Sequence, residues 1–230
     1  MSEPGSRRGR VHDAEGAREA ILNAAETVFA EHGFDGARVD AIAAAAGYNK
    51  SLIFQYFGDK LNLYVEVIRR ADRELGELQV QLLSPVLADE TIAFNAHKFR
   101  TFLEITCKTL FDYLVAHPRF VRMMLWEQAE GWQTYAKIAS QLNADDNVQL
   151  EALFRKARSA GLLRSDFEPL MQLTMILQIC LSYLTFIPLY QMFILPGEDL
   201  FSAAALTKAR EYIVTLVVSG MMVDPHETKP

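Results

Sequence analysis

The sequence predicts an all-α protein, with a three-helix helix-turn-helix unit at its N-terminus and a larger helical region behind it. Three observations carry this. Apolar residues recur at three- and four-residue steps, as in Ile21, Ala24, Ala25, Val28 and Phe29, which places them on one face of a helix. No stretch of useful length alternates apolar and polar residues as a strand would. Two short helical segments meet at Gly47, just after the small residues Ala43 to Ala46. Closely crossed helices need small side chains at their contact and a turn residue that accepts positive φ.

The elements follow in order. Residues 1–15, with Arg7, Arg8 and Arg10, read as a loose arm. A first helix is plain from Arg18 and ends at Gly33, and Asp35-Gly36 marks a turn. A second helix carries Val39, Ile42, Ala43 and Ala46 and stops at Gly47. The third begins at Asn49, a good N-cap, and ends near Phe57, where Gly58-Asp59 breaks it. Asp59 can cap a fourth helix that carries Leu61, Tyr64, Val65 and Ile68 and runs to about Leu83, where Ser84-Pro85 should stop it. Further helices are expected at about 90–116, 119–129, 132–160, 168–190 and 199–219, between prolines and glycines. The tail from 224 to 230 is polar. The resulting division is an arm (1–15), a helix-turn-helix domain (16–60), a larger helical domain (61–223) and a tail (224–230).

Composition narrows the function. The chain has 230 residues, 50% of them hydrophobic and 23% charged, which suits one good core or two small ones and excludes a disordered chain. A net charge of −6 excludes a protein that coats nucleic acid along its whole surface. Residues 1–60 hold seven Lys and Arg against nine Asp and Glu, so any DNA-binding assignment must rest on pattern. The N-terminus lacks the apolar stretch of a signal peptide, and a cytoplasmic location is expected. Cys107 and Cys180 are expected to be buried thiols.

On the third helix, Ile53 and Phe57 are four residues apart and face the core, and Tyr48 can join them. Lys50, Ser51, Leu52, Gln55 and Tyr56 then point outward. These suit a recognition helix in the major groove. Gln pairs with adenine, Lys with guanine or phosphate, Leu with a thymine methyl and Tyr with phosphate. Lys60 opens the next helix, where a cation opposes the helix dipole unless a phosphate sits there too.

The stretches REAILNAAETVFAEHGFDGARVDAIAAAAG and NKSLIFQYFGDKLNLY resemble the N-terminal domain of the TetR family of bacterial transcription regulators. The resemblance implies DNA contacts from Lys50, Ser51, Leu52, Gln55 and Tyr56, with Lys60 at the position of a common phosphate-binding lysine. Arg38 stands where Ser or Thr is usual and would replace that phosphate contact by charge. Phe54 stands where Tyr is frequent and loses its hydroxyl contact. Ser51-Leu52 replaces a common Gly-Thr, which would change the operator read. Arg7 to Arg10 read either as a minor-groove arm or as a solubilising tail.

The family resemblance further implies a helical ligand-binding and dimerisation domain, a homodimer on a palindromic operator in double-stranded DNA, and a small-molecule effector. Candidate lining residues are Phe111, Met123, Trp126, Trp132, Tyr135, Met175, Ile179, Tyr183 and Phe186. Their character favours an apolar or weakly polar ligand, with Arg122, Glu127 or His117 as an orienting group or as solvated surface. Residues 170–197 carry no charge, yet contain polar residues and Pro188 and lack flanking Lys or Arg, which fits a buried helix better than a membrane span. No cofactor is expected. The five histidines show no metal spacing, and no nucleophile or phosphate-loop motif is present. Glu127 and Glu130 read as surface charge. Two other classes stay open: a helical binding protein with a vestigial DNA-binding face, and a membrane-tethered sensor using residues 170–197.

Overall fold

The computed structural model describes residues 6–89, 91–139, 145–164 and 168–223. Residues 1–5, the 224–230 tail, and the side chains of Arg7, Arg8 and Arg10 lie outside the described part. The chain forms α1 (Ser6–Gly36), α2 (Val39–Ala46), α3 (Lys50–Phe57), α4 (Lys60–Leu87), a 3₁₀ turn (Ile92–Phe94), α5 (Ala96–Ala116), α6 (Pro118–Ala129), α7 (Gln133–Ile138), α8 (Asp145–Ser159), α9 (Pro169–Phe193) and α10 (Ala203–Met221). Among the described residues, the sole β pairing is an isolated bridge between Leu163 and Met222.

Several expected boundaries move. The stretch from Ser6 to Glu15, expected as a loose arm, has the helical backbone of α1. Gly33 does interrupt it, with φ 68° and ψ 179°. The helix expected from 90 starts at Ala96, because the Asn95 side chain accepts from Lys98 N at 3.1 Å and caps it there. The expected 132–160 helix is two, α7 and α8. The last helix starts at Ala203 instead of 199, capped by Ser202. Pro85 and Pro188 sit inside α4 and α9 without ending them; each costs an amide donor, but its fixed φ continues the helix for the turn that remains.

The contacts sort into two compact units, residues 1–73 with 118–142, and residues 74–117 with 143–230. In the first, Ile21, Leu22, Ala25 and Phe29 of α1, Ile42 of α2, Ile53 and Phe57 of α3, and Leu63, Val65 and Ile68 of α4 form the core. Phe29 meets the ring of Tyr64 edge-on at 4.9 Å. On the other side of α1, α6 packs close. Trp126 Nε1 and Arg122 Nε both donate to the Ala30 carbonyl at 3.2 Å. A Cβ on Gly33 would lie 3.0 Å from the Trp126 ring, so glycine is required there by both φ and space.

In the second unit, Phe154 of α8 stacks edge-on against Phe99 and Phe102 of α5 at 5.5 and 6.0 Å. Cys107 of α5 and Cys180 of α9 are buried free thiols, as expected. Ion pairs Arg210–Asp112 (2.6 Å) and Lys108–Glu211 (3.0 Å) join α10 to α5. The stretch Thr174–Phe193 within α9 is long and apolar enough to cross a membrane by length and composition. Ile176, Cys180 and Ile187 form its buried stripe, while Met175, Phe186, Leu189, Met192 and Phe193 are exposed.

Candidate DNA-recognition surface

The surface is built by α2, the Gly47 turn and α3. Gly47 adopts φ 73°, ψ 22° and the Tyr48 amide bonds back to the Ala43 carbonyl at 3.1 Å, a left-handed helix stop that glycine takes without steric cost. The Asn49 side chain accepts from Leu52 N at 2.8 Å and starts α3 in register. Ile53 and Phe57 are buried against the core. This anchoring leaves the opposite face of α3 fixed in direction and open to solvent.

On that face Lys50, Ser51 and Gln55 are exposed, and Leu52 and Tyr56 half-buried. Arg38, at the N-cap of α2, is exposed and makes no side-chain cap bond. Tyr48 does not join the core as expected; it is 38% exposed, because the Gly47 turn carries the chain outward before α3 begins. Phe54, which sequence reading treated as a lost contact, is 40% exposed, with Lys50 Nζ 6.0 Å from its ring centre. Lys50 also donates to Asp40 on α2 at 3.1 Å. Neither Phe54 nor Asp40 was among the candidates, although the outward positions of α2 and α3 pointed to both.

Lys60 has partners within the chain. Its ammonium donates to the carbonyls of Phe34 (2.8 Å), Ala37 (3.1 Å) and Asp35 (3.4 Å), and sits 4.5 Å from the Phe34 ring centre. These carbonyls, left open beyond the break at Gly33, answer the question of why a cation opens α4. The charge offsets those carbonyls at the end of α1.

The candidate lining residues fall into separate groups. Met123, Trp126, Trp132 and Tyr135 belong to the first unit. Met123 is buried, Trp126 and Tyr135 half-buried, and Trp132 exposed. Phe111, Met175, Ile179, Tyr183 and Phe186 belong to the second. There Phe111 lies 6.1 Å from Tyr183, while Met175 and Phe186 face outward. Glu127, expected at the surface, is 1% exposed. It falls on the apolar stripe of α6, three and four residues past Met124 and Met123, a spacing that could have revealed it. Arg122 is exposed, yet its Nε reaches Ala30. His117 Nδ1 lies 2.7 Å from the Tyr113 carbonyl.

Comparison with known proteins is decisive for the family. Residues 21–67 match the bacterial regulatory proteins of the tetR family, and residues 100–217 match the tetracyclin repressor-like C-terminal domain. The chain belongs to the TetR family. It is 34% identical over 120 residues to the transcriptional repressor SCO4008 of Streptomyces coelicolor, covering 52% of this chain and 54% of that protein. The chain thus spans about half the length of that relative. It is 28% identical over 182 residues to the repressor NicS of Pseudomonas putida, covering 76% and 78%. A TetR-family transcription regulator from Marinobacter aquaeolei VT8 superimposes with a TM-score of 0.66 at 18% identity, covering 94% and 100%, and shares the fold. The all-helical plan read from the sequence is the TetR plan, and α2–Gly47–α3 is its helix-turn-helix.

Proposed function

We propose that this TetR-type regulator is a sequence-specific repressor. It binds a palindromic operator as a homodimer and releases it when a small apolar or weakly polar effector occupies the larger helical region. The carrying observation is the anchored α3, whose outward face offers Lys50, Ser51, Leu52, Gln55 and Tyr56 in the segment matched to the family's N-terminal domain. Gln55 reads adenine and Leu52 a thymine methyl; Tyr56, Arg38 and Lys50 reach phosphate or guanine. Catalysis has no part in this reading.

The exposed apolar faces of α9 and α10 support dimerisation. Met175, Phe186 and Leu189 on α9 and Tyr212 and Leu216 on α10 are exposed in the single chain, a cluster that a monomer would seldom carry without a partner. A two-fold pairing matches the two-fold symmetry of a palindromic operator. A second copy suits this face better than lipid, since Glu198 and Asp199 follow it and no cationic flank favours a membrane. Effector action requires only that the ligand bind the non-operator conformation more tightly.

The test is a gel shift of the purified protein on the DNA flanking its own gene, at two salt concentrations and with excess non-specific competitor. A salt-sensitive shift that survives competitor supports the reading. Absence of any shift on flanking or random-pool DNA at both salts contradicts it.

A further inference from the structure

An exposed ion pair spans the outer side of the helix-turn-helix, where such pairs add little to stability. Asp40 and Lys50 are both exposed, ten residues apart, one on each helix of the motif, with Nζ 3.1 Å from Oδ2. Lys50 is the first residue of α3, where a cation opposes the helix dipole. Asp40 lies in the first turn of α2, where a carboxylate is favoured. The pair therefore turns an unfavourably placed cation into a neutral, oriented group on the face that meets DNA.

The other cations of this surface are few. The Lys60 ammonium is engaged by three carbonyls. Among the described residues from 38 to 60, Arg38 is the one cationic side chain with neither an ion pair nor a hydrogen bond. Non-specific DNA binding is almost entirely attraction between cations and phosphate. A surface whose lysines are already engaged binds random duplex weakly, and Lys50 leaves Asp40 only where the groove offers a stronger acceptor, such as guanine O6 and N7.

Building on the DNA-binding reading above, we propose that Asp40 is a specificity-determining positioning residue: by holding Lys50 on the face of α3, it suppresses phosphate binding and reserves Lys50 for base readout.

The experiment uses the full chain. An operator is recovered from a random duplex pool by selection with the unaltered protein, and affinities for it and for a scrambled duplex are measured by fluorescence anisotropy across a salt series. Four variants are compared with the parent: Asp40→Asn, Asp40→Glu, Lys50→Ala and the double variant Asp40→Asn/Lys50→Ala. Asp40→Asn is expected to bind the scrambled duplex about fivefold more tightly and to lose about three- to tenfold in discrimination, with the salt slope steeper by about one. Asp40→Glu should restore the parent behaviour. In the Lys50→Ala background the Asp40 effect should largely vanish, the signature of two residues acting as one unit.

An equal Asp40 effect in both backgrounds would mean that the carboxylate acts by its own field alone, and would overturn the proposal. Unchanged discrimination in Asp40→Asn would overturn it as well. If the unaltered protein selects no sequence and binds no duplex in a salt-sensitive way, the DNA-binding reading itself fails, and this inference with it.

Discussion

The hydroxyl of Tyr64 donates to Glu127 Oε1 at 2.7 Å inside the first unit, tying α4 to α6 through a carboxylate with almost no solvent exposure. The other oxygen of Glu127 accepts from the Tyr135 amide at 2.9 Å. That amide belongs to the first turn of α7, whose N-cap residue, Trp132, supplies no side-chain oxygen and sits at φ 63°. Glu127 thus caps α7 in its place, and favours the positive end of that helix. Burial first, and then the Glu127 bond and charge, push the Tyr64 phenol well above its ordinary range, which keeps it a donor at neutral pH.

Removing the donor leaves a buried carboxylate oxygen without its partner. Tyr64→Phe is expected to lower stability by about 2 kcal/mol, and Glu127→Ala by more, since it leaves both donors unpaired and opens a cavity. Chemical denaturation of both variants checks this. Parent-like midpoints in both would mean the bond adds nothing.

Lys60 separates structure from binding. With its ammonium on three carbonyls past the end of α1, Lys60→Ala is expected to lose about 1–2 kcal/mol of stability, read by thermal unfolding without DNA. A variant as stable as the parent but defective in DNA binding would return Lys60 to the phosphate-contacting role implied by the resemblance.

The acid limb of stability should depend on Glu66. Burial works to raise its pKa, but bonds from Arg69 and Arg18 outweigh it and hold the carboxyl below its usual value. A depressed carboxylate contributes stability above its unfolded pKa of about 4.3 and loses it as pH falls through the folded value. Glu66→Gln is therefore expected to be less stable than the parent at pH 7 and to show a flatter fall in Tm below about pH 4. Parallel Tm curves from pH 3 to 7 would contradict the assignment.

The exposed apolar face of α9 and α10 gives a test of assembly. Tyr212 is 69% exposed in the single chain, so Tyr212→Asp or Leu216→Asp should leave the monomer folded. Both are expected to shift the molar mass by light scattering to a single chain and to abolish high-affinity operator binding. A dimer that persists in both variants would place the interface elsewhere.

The helix-turn-helix was legible because its signals are local. Gly33, Gly47 and Gly58 all adopt positive φ, Asn49 and Asp59 cap α3 and α4 at 2.8 and 2.7 Å, and the spacing of Ile53 and Phe57 fixes which face turns inward. Tyr48 misled because its direction is set by the turn before it, not by the period of the helix after it. The larger region was less readable. Whether Asn95 or Ser202 begins a helix is decided by one side-chain bond, and Glu127 lies inside because partners 63 residues upstream and eight downstream meet it there. Aromatic and Met spacing cannot tell a lining from a core or an interface, which is why Phe111 is buried while Phe186 and Met175 face out.

The measurement that tests the central claim most directly is operator discrimination by Gln55→Ala, an exposed position on α3, against the operator selected with the parent protein. The expected result is unchanged thermal stability, unchanged affinity for scrambled duplex, and a loss of about tenfold for the operator, relaxed at one base position per half-site. Parent-like affinity and base preference in a folded Gln55→Ala variant, together with the same outcome for Lys50→Ala, would contradict α3 as the reading helix.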